Sequence, residues 1–238
     1  MPRVCLGYLC GSEWDLLELS LQTMLGYPWV QQALILDTTG QHEPQHTDRV
    51  VKLSRDFGQG PLFDELSARN YLLDEMHRRA AEQNCDWLLL CDPDEFFLPT
   101  TVDLLQRAKP GQEAILFECW HACDPLQHVI NPRLCNRRTG QLLLDPHPRA
   151  LRRGAPWRYL PNALGGWRSQ LGEHCYLPVP YALLHAEPNY CHVHVRHVFK
   201  TRPDSRQQIE PLPAEIVAGW PPRYLQRMAS MSHTVTGR

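Results

Sequence analysis

The chain has 238 residues, of which 43% are hydrophobic and 21% charged, with a formal net charge of -2. This is the composition of an ordinary soluble globular protein, and the near-neutral balance excludes a nucleic-acid binder working by bulk electrostatics. Nine cysteines with no C-x-x-C pair, several inside apolar runs (Cys5, Cys10, Cys91), exclude a disulfide scaffold and suit a reducing cytoplasm.

The opening "MPRVCLGYLCGSEWD" is too short and too quickly acidic for a signal peptide, and no apolar stretch approaches the length of a membrane span. Arg3 to Leu9 predicts a strand. Ser12 with Asp15 resembles a capping box, and Leu17, Leu21 and Met24 then recur at helical spacing. Val30 to Gly40 reads as a second strand closing at Asp37, and Arg49 to Gly58 as a weaker third. The stripe of Leu66, Leu73, Met76 and Ala80 predicts a helix from Asp64 to Asn84, with Asn84 as its stop. Trp87 to Cys91 is apolar throughout, the pattern of a strand covered on both faces of a parallel sheet. Thr100 and Asp103 open a short helix over Val102 to Ala108, ended by Pro110-Gly111, and Glu113 to Trp120 is one more strand.

Strands alternating with helices imply an α/β fold with an open sheet. After Trp120 the rhythm breaks until "YCHVHVRHVF" (Tyr190 to Phe199), which alternates like a strand. The expectation is one domain: a regular nucleotide-binding half over 1–120 and an irregular half over 121–238. The end, with Pro211, Pro213, Pro221 and Pro222, is expected to wrap the surface.

Chemistry concentrates at "CDPDEFF", where Asp92, Asp94 and Glu95 follow the apolar strand. Ligand crevices of open α/β sheets lie beyond the carboxyl ends of the strands. If the chain stays extended, Asp92 and Asp94 project to one face, and paired carboxylates suit Mg²⁺ or Mn²⁺. The alternative is an Asp-Pro turn whose carboxylates cap backbone amides. Histidines form a second cluster: on a strand, His192, His194 and Arg196 share a face. "CWHAC" (Cys119 to Cys123) reads as a partial zinc site with His121, but no second cysteine pair follows, so buried structural thiols are the expectation.

The stretch "SARNYLLDEMHRRAAEQNCDWLLLCDPDEFFLP" resembles glycosyltransferases of the GT-A fold, family-2-like, in which an Ala-Arg-Asn (Ala68, Arg69, Asn70) opens a helix and an apolar strand ends in D-x-D-E (Asp92, Asp94, Glu95). Ser12-Glu13 and a second strand ending in Asp37 are similar too, although Asp37-Thr38-Thr39-Gly40 stands where many members read Asp-Asp-Gly-Ser. The likeness covers the first half well and the second half patchily. It implies a Rossmann-like open mixed sheet flanked by helices. It also implies a nucleoside diphosphate sugar as donor, a hydroxyl acceptor and transfer with inversion. Asp37 and Arg69 then line the nucleoside pocket, Asp92 faces ribose or metal, and Asp94 ligates the Mn²⁺ or Mg²⁺. His192 completes that metal site, with His194 as second choice. Arg152, with Arg149 and Arg153, assists the diphosphate. Glu173 is the candidate base, with Glu118 and Asp124 as alternatives. Rival readings are a non-catalytic nucleotide-sugar binder, and a metal-dependent hydrolase or nucleotidyl-transferring enzyme. An H-x-H hydrolase site is disfavoured by Arg196, whose charge opposes zinc.

Overall fold

The computed structural model describes residues 1–39, 48–58, 63–130, 146–159, 184–185, 190–199 and 208–235. Its first strand, β1 (Val4–Cys10), sends Val4, Leu6, Tyr8 and Cys10 to one face and Cys5 to the other. The first face is covered by α1 (Trp14–Leu25) through Leu17, Leu21 and Met24. After β2 (Val30–Asp37) and β3 (Val50–Ser54), helix α2 (Glu65–Glu82) covers the second face with Ala68, Leu72, Leu73, Met76 and Ala80. The next strand, β4 (Trp87–Cys91), is buried at every position because Trp87, Leu89 and Cys91 face the α1 side and Leu88 and Leu90 the α2 side. Its all-apolar sequence is the direct consequence.

The remaining elements are β5 (Glu95–Phe97), α3 (Thr101–Arg107), β6 (Ala114–His121), β7 (Gln127–Ile130), β8 (Pro146–Arg152), β9 (Leu184–His185), β10 (His192–His194), α4 (Arg196–Phe199), β11 (Gln208–Pro211), α5 (Ala214–Gly219) and α6 (Pro222–Val235). Among the described residues, strands from both halves of the chain share one sheet in the order β3-β2-β1-β4-β8-β6-β10-β5, with β9 pairing β6. The first four are parallel, and β8 then runs antiparallel to both β4 and β6. The expected open mixed sheet flanked by helices is therefore observed. No helix among the described residues is long and apolar enough to cross a membrane.

Local signals explain most boundaries. Asp64 caps α2 by accepting from the Ser67 amide at 3.0 Å. Asn84 ends it in the left-handed region at φ 51°, with Cys85 N–H bonded to the Ala80 carbonyl and Asn84 N–H to that of Ala81. Helix α1 instead begins at Trp14 after Glu13, with no side-chain cap, so the Ser12–Asp15 box is not formed. The strand expected over Tyr190 to Phe199 shrinks to His192–His194. Val195 N–H bonds back to the Asp94 carbonyl, and the amides of Val198 and Phe199 turn onto Val195 to make α4. The proline-rich end does more than wrap. Ile216, Trp220 and Tyr224 pack on Phe96 and Val193 as a third apolar cluster.

The seat of α2 depends on Gly7. A Cβ at that position would lie 2.1 Å from the sulfur of Met76, a residue buried without remainder. Gly7→Ala is therefore expected to lower unfolding free energy by about 1–3 kcal/mol in urea titration. Adding Met76→Ala is expected to cost less in that background than in the parent. Strict additivity of the two substitutions would mean that the helix does not press on Gly7.

Candidate active site

Beyond Cys91 the backbone does not stay extended. The Glu95 amide bonds to the Asp92 carbonyl at 3.1 Å, and the Glu95 carboxylate returns to accept the Asp92 amide at 3.0 Å. This tight turn through Pro93 sends β5 back along β10, pairing Glu95 with His194 and Phe97 with His192. Helix α1 braces the turn from one side: the Ser20 hydroxyl donates to the Glu95 carbonyl at 2.6 Å, and Tyr27 donates to that of Phe97 at 3.0 Å. The turn with capping chemistry is thus observed, with Glu95 as the carboxylate that caps the Asp92 amide.

Because the chain turns, Asp92 and Asp94 address different partners. Arg149, from β8, donates to Asp92 Oδ2 at 2.6 Å and to Glu95 Oε1 at 2.5 Å, with only 4% of its side chain exposed. Arg69 of α2 approaches Asp92 Oδ1 at 3.5 Å while holding Glu65 at 2.8 Å. Burial alone would raise the pKa of Asp92, but Arg149 and Arg69 together hold it below the usual carboxylate value. For Glu95 the same opposition, burial against Arg149 and then His192, ends well below the usual value. Two guanidinium groups therefore neutralise two of the three crowded carboxylates.

The third is held by imidazole. His194 Nε2 lies 3.1 Å from Asp94 Oδ1, and His194 Nδ1 lies 3.0 Å from Nδ1 of His121 on β6. His192, expected to complete a metal site with Asp92 and Asp94, instead faces Glu95 Oε1 at 3.2 Å and stacks on Phe97 with ring centroids 4.6 Å apart. Its burial lowers its pKa against the pull of Glu95. The second-choice histidine is the one that meets Asp94.

Asp37 ends β2 at the same edge of the sheet, about 10 Å from β4 by strand spacing. It accepts from the amide and hydroxyl of Thr39 at 2.8 and 2.9 Å and pairs with Lys52 at 3.1 Å. Lys52 in turn sits 5.8 Å over the ring of Trp14. Arg152 is not brought to the carboxylates. It lies three residues along β8, beside Trp87 at the opposite end of β4, where it stacks on that ring at 4.4 Å and donates to the carbonyls of Gln112 and Ala108. Strand advance carries position 152 some 10 Å from 149 and to the other face, so Arg149 is the arginine of this site. Glu173 lies outside the described residues. Glu118 is half-buried on β6, and Asp124 caps the following turn through the Leu126 amide at 2.7 Å. Asn70 exchanges two hydrogen bonds with the backbone of Tyr159, at 3.0 and 2.8 Å, bringing the tyrosine ring within 5.8 Å of the Arg69 guanidinium.

No protein-family model and no curated protein matches the chain. Among solved structures it is similar to the mannosyltransferase PcManGT from Pyrobaculum calidifontis, in complex with GDP-Man and Mn²⁺: 14% identity over 51% of this chain and 36% of that one, TM-score 0.36. It is similar to S. aureus TarS at 12% identity over 81% of this chain and 36% of that one, TM-score 0.46. A 4-diphosphocytidyl-2C-methyl-D-erythritol synthase aligns at 13% identity over 65% and 76% of the two chains, TM-score 0.38. The chain thus spans about a third of the length of the first two proteins. Likenesses of this size carry no weight for function, which must be read from the side chains.

Removing the Arg149 charge leaves two buried carboxylates without their main counterion. Arg149→Met is expected to cost about 3–5 kcal/mol at neutral pH. The depressed carboxylates of the parent bind fewer protons folded than unfolded near pH 4. Their stabilisation is therefore full above that range and is lost as pH falls through it. The gap between parent and variant, measured by urea unfolding, should shrink between about pH 5 and pH 3. A gap independent of pH would reduce Arg149 to a packing residue.

Proposed function

We propose that the chain is a glycosyltransferase, moving a sugar from a nucleoside diphosphate sugar to a hydroxyl acceptor with the help of Mn²⁺ or Mg²⁺. What carries the reading is the placement of Asp92 and Asp94 at the carboxyl end of β4. The strand order β3-β2-β1-β4 reverses direction between the neighbours β1 and β4, with α1 and α2, the crossovers on either side of that reversal, covering opposite faces. That is the switch point at which open α/β sheets hold their ligands.

The donor set fits a hard cation with one change from expectation. Such ions take one or two carboxylates and complete their shell with substrate phosphates and water. Asp94 pairs with His194 through Oδ1 and would hold the ion through its carboxylate. Asp92, already paired with Arg69 and Arg149, flanks it, and His192 stands behind Glu95. When bound, the ion would offset the charge that develops on the departing diphosphate.

The remaining roles fall to this chain's own groups. Asp37, fixed by Thr39 and Lys52, receives the nucleoside, with Trp14 and Arg69 along the same edge. The acceptor oxygen bonds to the sugar carbon as the bond to diphosphate breaks, with inversion, and Glu173 takes the hydroxyl proton. Residues 1–120 then serve the donor and 121–238 the acceptor. None of the seven described cysteines is in a disulfide, which suits a cytoplasmic enzyme.

A thermal-shift panel of nucleoside diphosphates and their sugars, with and without Mn²⁺, tests the reading. Ligand at 100 times its Kd stabilises the native state by about 2.7 kcal/mol. One nucleotide family should raise the melting temperature only with metal, and Asp94→Ala should abolish that shift. A folded parent that responds to no nucleotide sinks the proposal.

A further inference from the structure

Strands β6 and β10 run parallel and in register, pairing His192 with Cys119 and His194 with His121. Side chains two apart on a strand share a face, and neighbouring strands lie about 4.8 Å apart. The sequences Cys119-x-His121 and His192-x-His194 therefore place one thiol and three imidazoles on a single face. Two groups of donors result. Cys119, His121 and His194 bring their ligand atoms within 4.8 Å of one another, and so do Glu95, Cys119 and His192.

The second group is a poor cation site, because Arg149 already lies 2.5 Å from Glu95 and would repel an incoming ion. In the first group, both His121 and His194 are only half-buried, which leaves an entry path. We propose that Cys119, His121 and His194 bind one zinc ion, separate from the ion held by Asp94 for the diphosphate.

Three features of the geometry support zinc. Zinc takes sulfur at about 2.3 Å and imidazole nitrogen at about 2.0–2.1 Å in tetrahedral array, which sets two nitrogen ligands about 3.3 Å apart. The Nδ1 atoms of His121 and His194 already stand 3.0 Å apart, so a few tenths of an ångström of opening admits the ion. The other nitrogen of His194 points at Asp94 at 3.1 Å, the carboxylate-to-histidine arrangement that fixes the tautomer of a zinc ligand. Finally, one thiol and two imidazoles are a donor set for zinc, whereas Mg²⁺ and Mn²⁺ favour oxygen. On binding, the Cys119 thiol gives its proton to solvent, and His121 shifts its single imidazole proton from Nδ1 to Nε2, so that Nδ1 offers a lone pair to the ion. The fourth position is open to water or to His197, whose ring lies 6.4 Å from that of His121. Zinc here would lock His194 and, through it, the orientation of Asp94.

The test uses the full chain, stripped with chelator and reloaded with zinc or cobalt alone. The proposal expects one zinc retained per chain after dialysis, unaffected by excess Mg²⁺. With Co²⁺ it expects a thiolate-to-metal charge-transfer band in the near ultraviolet. Cys119→Ser should abolish the band, and His121→Gln, at the half-buried rim, should end zinc retention while circular dichroism stays native. Asp94→Asn should weaken zinc binding roughly 10–100-fold without removing the band. None of these readouts needs a sugar donor, so they stand apart from the transferase reading. Unfolding on stripping, reversed by zinc and not by Mg²⁺, would equally support the site. A stripped chain that takes up no zinc, or takes it up equally in both ligand variants, overturns it.

Discussion

The structure of this site depends on one buried contact, the Arg149 guanidinium lying between Asp92 and Glu95. Three carboxylates within four residues cannot be buried as anions unless their charge is answered. Arg149 answers two of them at once, and Glu95 can then bend back to cap the Asp92 amide. The turn follows from that cap, and β5 and its pairing with β10 follow from the turn. The antiparallel entry of β8 beside β4 is what delivers the arginine. The sheet's change from parallel to mixed is thus tied to the electrostatics of its edge.

Much of the frame was legible in the sequence because its signals are local. Apolar periodicity marks β1, α1, α2 and β4, and Asp64 and Asn84 bound α2 through contacts made within a few residues. What could not be read were features created by strands that meet from afar. The spacing of "HPRALRR" offers three arginines, and nothing local tells which one meets Asp92. Only the register Leu89 to Ala150 puts position 149 at the carboxyl end of β4 and position 152 at the other. The same holds for the histidines. The GT-A resemblance implies a histidine on the late strand, but which of His192 and His194 meets Asp94 depends on how tightly the chain turns after Asp92.

Register also explains the fate of "CWHAC". Taken alone it lacks a second pair of ligands, so the sequence favours buried thiols. The second pair does exist, as His192-x-His194, more than seventy residues later on a parallel neighbour. A parallel pair in register brings together two short i, i+2 patterns that are unremarkable apart. A search of the sequence for alternating Cys and His on two separate apolar strands would have marked both halves, though not their alignment.

The arrangement that emerges is graded across a short stretch of chain. Asp92 and Glu95 belong to fixed guanidinium groups, and Asp94 belongs to an imidazole that also faces His121. Asp94 therefore sits between a rigid, charge-balanced side and an adaptable side rich in nitrogen and sulfur. A carboxylate in the first environment is already neutralised and has little to gain from a cation. One in the second is oriented from behind by an imidazole. That difference in what surrounds them, more than the count of acidic residues, is what favours Asp94 as the ligand in the proposed function and leaves structural duty to Asp92 and Glu95.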